Sequence, residues 1–381
     1  MTSPLESTIN LNAPASLVRG DSALAALREQ VDERQLYLVG GSVRDALLGK
    51  ESLDLDVAVD GPVAALATEL DPDALLHERF DTASISIGGR RMDLARTRSE
   101  MCRRPGSLPE VEPARIEADL ARRDFTINAI AVALEDPETL IDPSGGLEDL
   151  GRRVIRVIHD RSFRDDPTRA LRAARYAARL GFDIDHRTAD LLLEVDLTTL
   201  SPQRLRSELD LISEEPTAVE ALRLVSAWGL IDVSDEILKL AAAAFELLRT
   251  DAWSGFCTRA QVVETVLGEE SAGRFRDLIE FPGSPSGAVR SAGDRNPVDL
   301  LLARAGDAEW LDHWITDWRD VRLEITGDDL VEAGIPRGEA VGIGLEAALE
   351  AALDRGVTGR DDQLSVALEA AGSADARGAG D

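Results

Sequence analysis

Apolar and polar positions along the first 160 residues change period repeatedly. Residues 22–35, SALAALREQVDERQ, carry apolar side chains at helical spacing. LYLV (36–39) is a short apolar run stopped by Gly40-Gly41, and SVRDALLG restarts as a helix that ends at Gly49. LDLDVAV (53–59) alternates and reads as a strand. A helix over 62–70 and strands near 84–88 and 91–95 follow. RRPGSLPEVEP (103–113) is turn-rich and predicts a loop. EADLARRDFTINAIAVAL (117–134) has helical spacing, DPSGG punctuates, and GRRVIRVI gives one more strand. From about residue 160 the period is helical with no clear strand, so an α+β head precedes a helical remainder.

This change predicts a mixed-sheet head over 1–155, a helical neck over 156–235 and a helical body and tail over 236–381. LKLAAAAFELL reads as a buried helix, FPGSPSG (281–287) as an interhelical loop, and GSADARGAGD as a frayed end. No fixed repeat is visible.

Composition narrows the function classes. Hydrophobic residues make up 44% and charged residues 30% of 381 positions, which is globular rather than disordered. The formal charge of −29 argues against a chain that coats nucleic acid without selectivity. Residues 90–180 depart from that balance, with 18 Arg against 16 Asp or Glu. This least acidic stretch suits a polyanionic ligand, or an Arg-rich helix paired with acidic neighbours. Two cysteines, Cys102 and Cys257, form no disulfide framework and have no zinc spacing. A reducing, cytoplasmic location is expected, with no secretory segment and no membrane span. The four histidines are scattered and form no metal-binding pair.

Asp54 and Asp56 are two apart on a predicted strand and leave the same face. Adjacent carboxylates repel unless a cation neutralises them, and magnesium suits an all-oxygen site. Upstream, Gly40-Gly41 lets backbone N–H groups approach an anion, and Ser42 opens a helix whose N-terminus favours phosphate. Arg122-Arg123-Asp124 offers guanidinium forks for phosphate oxygens and an acceptor for a ribose hydroxyl; standing alone, it also reads as a surface ion cluster. Asn128 is a cap or packing residue by default. Asp165-Asp166-Pro167-Thr168-Arg169 reads as a capped helix start with an Asp165–Arg169 pair and Arg172 one turn on. Its sharper reading is base selection, with an Asp accepting from the amino group of cytosine or adenine and an Arg donating to the ring. Uracil and guanine oppose that acceptor with a carbonyl. Asp93, before Arg96, reads equally as a third metal-site carboxylate or as the partner of Arg96.

These motifs occur in an order that resembles the class II tRNA nucleotidyltransferase and bacterial poly(A) polymerase family. GGSVRDALLG with DLDVAV is similar to its first motif, and EADLARRDFTINAIA to its second. DPSGGLEDLGRRVIRVI, FRDDPTRALRAARYAARLGF and SPQRLRSELDLI resemble the motifs that follow, the last being a neck helix. The resemblance covers most of the first 235 residues, and 323–356 resembles the C-terminal segment of many members. It implies a polymerase-β-like head and metal-assisted addition of CMP or AMP, from CTP or ATP, to the 3′ end of tRNA. It further implies metal ligation by Asp54 and Asp56, and nucleotide contacts from Gly40, Gly41, Ser42, Arg44, Arg122, Arg123, Asp124, Asn128, Asp165, Asp166, Arg169 and Arg172. The family's base-reading template is Glu-Asp-x-x-Arg; here the first acid is Asp165. No HD pair is present, so a C-terminal phosphohydrolase domain is not expected, nor is DNA binding. LLHERFDTASISIGG lacks the Gly-basic-basic-Phe signature of the poly(A) polymerases, which favours tRNA over that runner-up. CC-only and A-only addition stay open. The non-enzymatic alternative, an RNA-binding module on a degenerate head, would show loss of Asp54 or Asp56, and both are present.

Overall fold

The computed structural model describes residues 9–29, 35–52, 54–101, 110–268 and 274–378. Its contacts divide the chain into two compact units, Met1–Asp232 and Val233–Asp381.

The first unit is built on a mixed sheet. In chain order its strands are β1 (Leu36–Val39), β2 (Leu55–Val59), β3 (Leu75–His77), β4 (Thr82–Ile87) and β5 (Arg90–Arg96). Then come β6 (Arg98–Met101), β7 (Glu110–Pro113), β8 (Ala131–Ala133), β9 (Leu140–Ile141), β10 (Val154–Ile155) and β11 (Asp183–Ile184). Seven form one sheet in the order β3-β4-β5-β2-β1-β8-β9. The β2–β5 pair is parallel, and the other neighbours are antiparallel.

Strand alternation sorts side chains onto the two faces. On β1, Leu36 and Leu38 join the larger core with Leu24, Leu27, Val43 and Leu47 from the helices Ser22–Glu29 and Gly40–Leu47. Tyr37 and Val39 join a second cluster with Ile116 and Leu120. The same alternation on β2 sends Leu55, Val57 and Val59 into the larger core, and on β5 it sends Met92 and Leu94 there. Asp56 and Asp93 are left on the opposite face. Each fully buried Leu contributes roughly 1.5–3 kcal/mol, which pins the register that places these two acids.

The structure differs from the sequence expectations in several places. The helix expected over 22–35 spans Ser22–Glu29, and 30–34 lie outside the described residues. The helix expected over 117–134 is only Ile116–Ala121, followed by a single tight turn at Thr126–Asn128 and then β8. Its Ala-Ile-Ala-Val run is buried on both faces, and pairing Val132 with Leu38 overrides local helical spacing. The loop expected over 103–113 ends in β7, whose residues pair with β6; Cys102 and the rest of the loop lie outside the described residues. The region after 160 contains β11, a two-residue strand parallel to β10.

The second unit is helical. The expected buried helix is Asp235–Leu247, with Leu238, Ala241, Ala244 and Phe245 inside. Part of the loop expected over 281–287 is helical: Ser284 caps the helix Pro285–Ala292 by accepting from Gly287 N–H. Of the end expected to fray, residues 372–378 continue the helix Arg360–Gly378, and 379–381 lie outside the described residues. Its neighbour, Glu339–Arg355, packs along it. Among the described residues, no helix is long and apolar enough to cross a membrane.

Candidate active site

A cleft of about 1180 Å³ opens within the first unit. It is lined by the β1-to-helix turn, by Asp56 and Asp93, by Arg122, Arg123, Asp124 and Asn128, and by two later helices, Thr168–Leu180 and Pro202–Glu214.

The turn is fixed by backbone geometry. Gly40 has φ +64°, and a Cβ there would lie 2.7 Å from Arg123 Nη1. Ser42 is buried, and its hydroxyl accepts from Asp56 N–H at 2.9 Å while donating to the Asp54 carbonyl at 3.3 Å. That hydroxyl ties the start of β2 to the helix N-terminus.

Asp56 and Asp93 are Cα partners across the parallel β2–β5 pair, and both line the cleft. Burial pushes the Asp56 carboxyl up, and the Asp93 charge adds to this; Arg123, Arg44 and the Gly41 N–H pull the other way. Ser84 Oγ donates to Asp93 and orients it. Asp93 faces Asp56 across the strand pair, while Arg96 pairs with Asp81 at 3.3 Å and not with Asp93. Asp54 is exposed, stands one residue before β2 and is not in the cleft lining. Among the described residues, no group of three or more Asp, Glu, His or Cys is gathered as a metal cluster.

The arginines divide between holding and facing. Arg44 is 2% exposed and bound to Asp45 through Nε and Nη2, while Nη1 donates to Asn128 Oδ1 at 2.6 Å. It supports the site from below and does not line the cleft. Arg122 and Arg123 line it, both held by the buried Asp119 at 2.7 and 3.0 Å. Those guanidinium groups hold the Asp119 carboxyl low despite the opposing effect of burial. Arg122 also reaches Glu100 at 2.7 Å.

Asp124 is 7% exposed. It accepts from Asn128 Nδ2 at 3.0 Å and from Arg172 Nε and Nη2 at 2.9 and 2.7 Å. Burial works against its charge, but Arg172 and Asn128 win and hold the carboxyl at about 2. The partner Arg172 is correspondingly raised.

At the start of the helix Thr168–Leu180, Asp166 and Arg169 face the cleft. Arg169 Nη2 donates to the Arg122 carbonyl at 2.7 Å, which links the base-reading candidate to the phosphate-binding candidate. Asp165 goes elsewhere. It pairs with Arg161 at 3.0 Å, not with Arg169, and lines a separate cavity with His159 and Glu100.

Sequence reasoning missed Asp119, Tyr176, Arg204 and Glu208. The signal for Asp119 was present, since it stands three and four residues before Arg122 and Arg123. Tyr176 has Arg44, Arg172, Arg175 and Arg179 around its ring at 4.9–5.8 Å. Arg204 and Glu208 reach the site from a helix far along the chain, and no local pattern marks them. Glu208 is pushed up by burial, against the pull of Arg172 at 3.7 Å.

Residues 36–156 match the model of the poly(A) polymerase head domain. An A-adding tRNA nucleotidyltransferase of Geobacter sulfurreducens is 34% identical over 90% of this chain and 46% of its own length. A CC-adding tRNA nucleotidyltransferase of Deinococcus radiodurans is 43% identical over 52% of this chain and 54% of its own. The chain thus spans about half the length of these curated relatives. Among solved structures, the Thermotoga maritima CCA-adding enzyme complexed with tRNA is similar at TM-score 0.74 and 26% identity. That match covers 94% of this chain and 98% of the other.

Proposed function

We propose that this chain is a member of the class II tRNA nucleotidyltransferase and bacterial poly(A) polymerase family and adds CMP, AMP or both from CTP and ATP to the 3′ end of tRNA. The observation that carries the reading is the meeting, in one cleft, of the Gly40–Gly41 turn and the Asp56–Asp93 pair with Asp166 and Arg169.

Nucleotidyltransferases of this type use divalent metal ions, and we propose magnesium. The donors fit: two carboxylates in neighbouring register, oxygen ligands only, with Asp56 already strained by burial and by Asp93. Asp56 and Asp93, with Asp54 adjoining, would hold the ion. When bound, it supplies charge neutralisation at the triphosphate and favours ionisation of the attacking 3′-hydroxyl.

The chain's own groups do the remaining work by position and charge. Gly40 and Gly41 let the nucleotide approach the backbone at the start of the helix Gly40–Leu47, where N–H groups face an anion. Arg122 and Arg123, held by Asp119, bind phosphate oxygens. Asp124 stays ionised across the physiological range and accepts from a ribose hydroxyl, with Asn128 and Arg44 bracing it. Asp166 accepts from the amino group of cytosine or adenine, and Arg169 donates to the ring. Base choice thus rests on Asp166 and Arg169 without Asp165. We assign residues 1–155 to the catalytic head, 156–235 to nucleotide selection and 236–381 to holding the tRNA acceptor arm by shape and backbone contact. A cytoplasmic location fits that substrate.

The test is incorporation by the purified chain on tRNAs ending before CCA, in CC and in CCA, with one nucleotide supplied at a time. CMP on the first, AMP on the second, or both, with no extension of the third, is expected. Absence of addition to every substrate overturns the reading. Repeated AMP addition to the CCA end converts it to poly(A) synthesis.

A further inference from the structure

The carboxylate assigned to base choice is clamped from one side. Asp166 Oδ1 accepts from Thr168 N–H at 3.0 Å, from Thr168 Oγ1 at 2.6 Å and from Arg204 Nη2 at 2.8 Å. Among the described residues, none donates to Oδ2. Thr168 is local, the first residue of the same helix. Arg204 comes from a different element, the helix Pro202–Glu214, and lines the cleft with Asp166. The neighbouring arginines are otherwise engaged, Arg169 by the Arg122 carbonyl and Ser162, Arg172 by Asp124.

We propose that Arg204 is a specificity-positioning residue, which fixes Asp166 through Oδ1 so that Oδ2 stands as an immobile acceptor for amino-bearing bases. This inference rests on the reading of the site given above and deepens it.

Base choice here works by rejection. An acceptor attracts the amino group of cytosine or adenine even when it is mobile, because it can move in to meet a donor. It repels the carbonyl of uracil or guanine only if it cannot swing away. Discrimination against the wrong base therefore depends on the stiffness of Asp166 more than the affinity for the right base does. Two contacts within one turn, to Thr168 N–H and Oγ1, tie Oδ1 only to its own helix. A charge-assisted bond from another helix fixes where that oxygen stands and so narrows the range open to Oδ2, which is joined to it through the same carboxyl carbon.

The experiment measures kcat/KM on a tRNA acceptor for the nucleotide the wild type adds and for its carbonyl-bearing counterpart, CTP against UTP or ATP against GTP. Arg204→Ala is expected to lower that ratio by about tenfold, the scale of one lost bond to a charged group, mainly through faster use of the wrong nucleotide. Arg204→Lys, which can still reach the carboxylate, is expected to restore most of it. Thr168→Val, which removes the hydroxyl donor to the same oxygen and retains the N–H, is expected to lower it in the same direction by less. Arg204 is 27% exposed on its helix, and thermal unfolding of each variant checks that the fold is retained. An unchanged ratio in Arg204→Ala, or an equal fall for both nucleotides in that variant, overturns the inference while leaving the activity itself in place. A wild type that adds neither nucleotide removes the underlying reading, and the inference falls with it.

Discussion

Asp56 on β2 and Asp93 on β5 stand opposite each other in a parallel pair, each flanked in its own strand by apolar residues buried on the far face of the sheet. Two like charges are thereby held together by the register of a core that cannot slip without exposing Leu55, Val57, Met92 and Leu94. Burial raises the Asp56 carboxyl and the Asp93 charge adds to it, a cost that a bound cation would relieve.

The first prediction follows from that pair. Asp56→Ala is expected to reduce CMP and AMP incorporation by about a thousandfold or more, the scale seen when a group stabilising transition-state charge is removed. Affinity for tRNA, followed by gel shift, is expected to stay within about twofold, because the helical parts assigned to the RNA are untouched. Asp93→Asn is expected to act in the same direction, and the double variant to lose no more than Asp56→Ala alone, as for groups that act as a unit. Activity near wild type for Asp56→Ala removes the pair from the chemistry.

Arg169 occupies a different part of the cleft, and its loss has a different signature. Its guanidinium is spread between the Arg122 carbonyl and the Ser162 hydroxyl while facing the cleft. Arg169→Ala removes the donor assigned to the base ring and unties Arg122. Competition assays with all four nucleotides are expected to show preference for CTP or ATP reduced by about ten- to a hundredfold, with KM rising more than kcat falls. A preserved preference at lower overall rate limits Arg169 to holding Arg122.

The head was legible where a residue's neighbours in sequence are also its neighbours in space. LYLV, the Gly40-Gly41 stop and the alternation of LDLDVAV are local signals; β1 and the turn stand where those signals put them, while β2 begins at Leu55 and leaves Asp54, expected on the strand, just before it. The stretch 117–134 misled because Ala, Ile and Val at mixed spacing fit a helix as well as a buried strand. Only the open side of β1 decides for β8, and that is a tertiary fact. The site divides in the same way. Ser42 and Asp56 were readable from the motif. The facing of Asp93 towards Asp56 depends on which strand pairs with which, and Arg204 on where a helix some forty residues later returns.

Gly40 offers a test of the turn itself. Its φ of +64° is uncommon for a residue with a side chain, and an added Cβ would press on Arg123 Nη1, a terminal atom that can move. Gly40→Ala is therefore expected to cost about 1 kcal/mol of stability by urea unfolding, mostly backbone strain. The displaced Arg123 gives it a larger effect on nucleotide KM, which is expected to rise about tenfold. A variant that loses stability but keeps its KM separates the turn from nucleotide binding.

The last prediction concerns acid. Asp124 is held at about 2 in the folded chain, against an ordinary value of 3.8. Its folded value is the lower one, so its ionised form stabilises the fold. That contribution is complete above about pH 4 and fades as pH falls towards 2. The difference corresponds to about 2 kcal/mol at neutral pH, since one pKa unit is worth about 1.4 kcal/mol. Asp124→Asn keeps the shape but leaves Arg172 only the more distant Glu208 carboxylate, at 3.7 Å, to pair with. It is expected to be less stable than the wild type by about 2 kcal/mol at pH 7, with the gap closing as pH is lowered from 4 towards 3. Urea unfolding of both proteins at pH 7, 4 and 3 measures it. A gap that is constant across that range assigns the loss to packing and not to the Asp124–Arg172 charge pair.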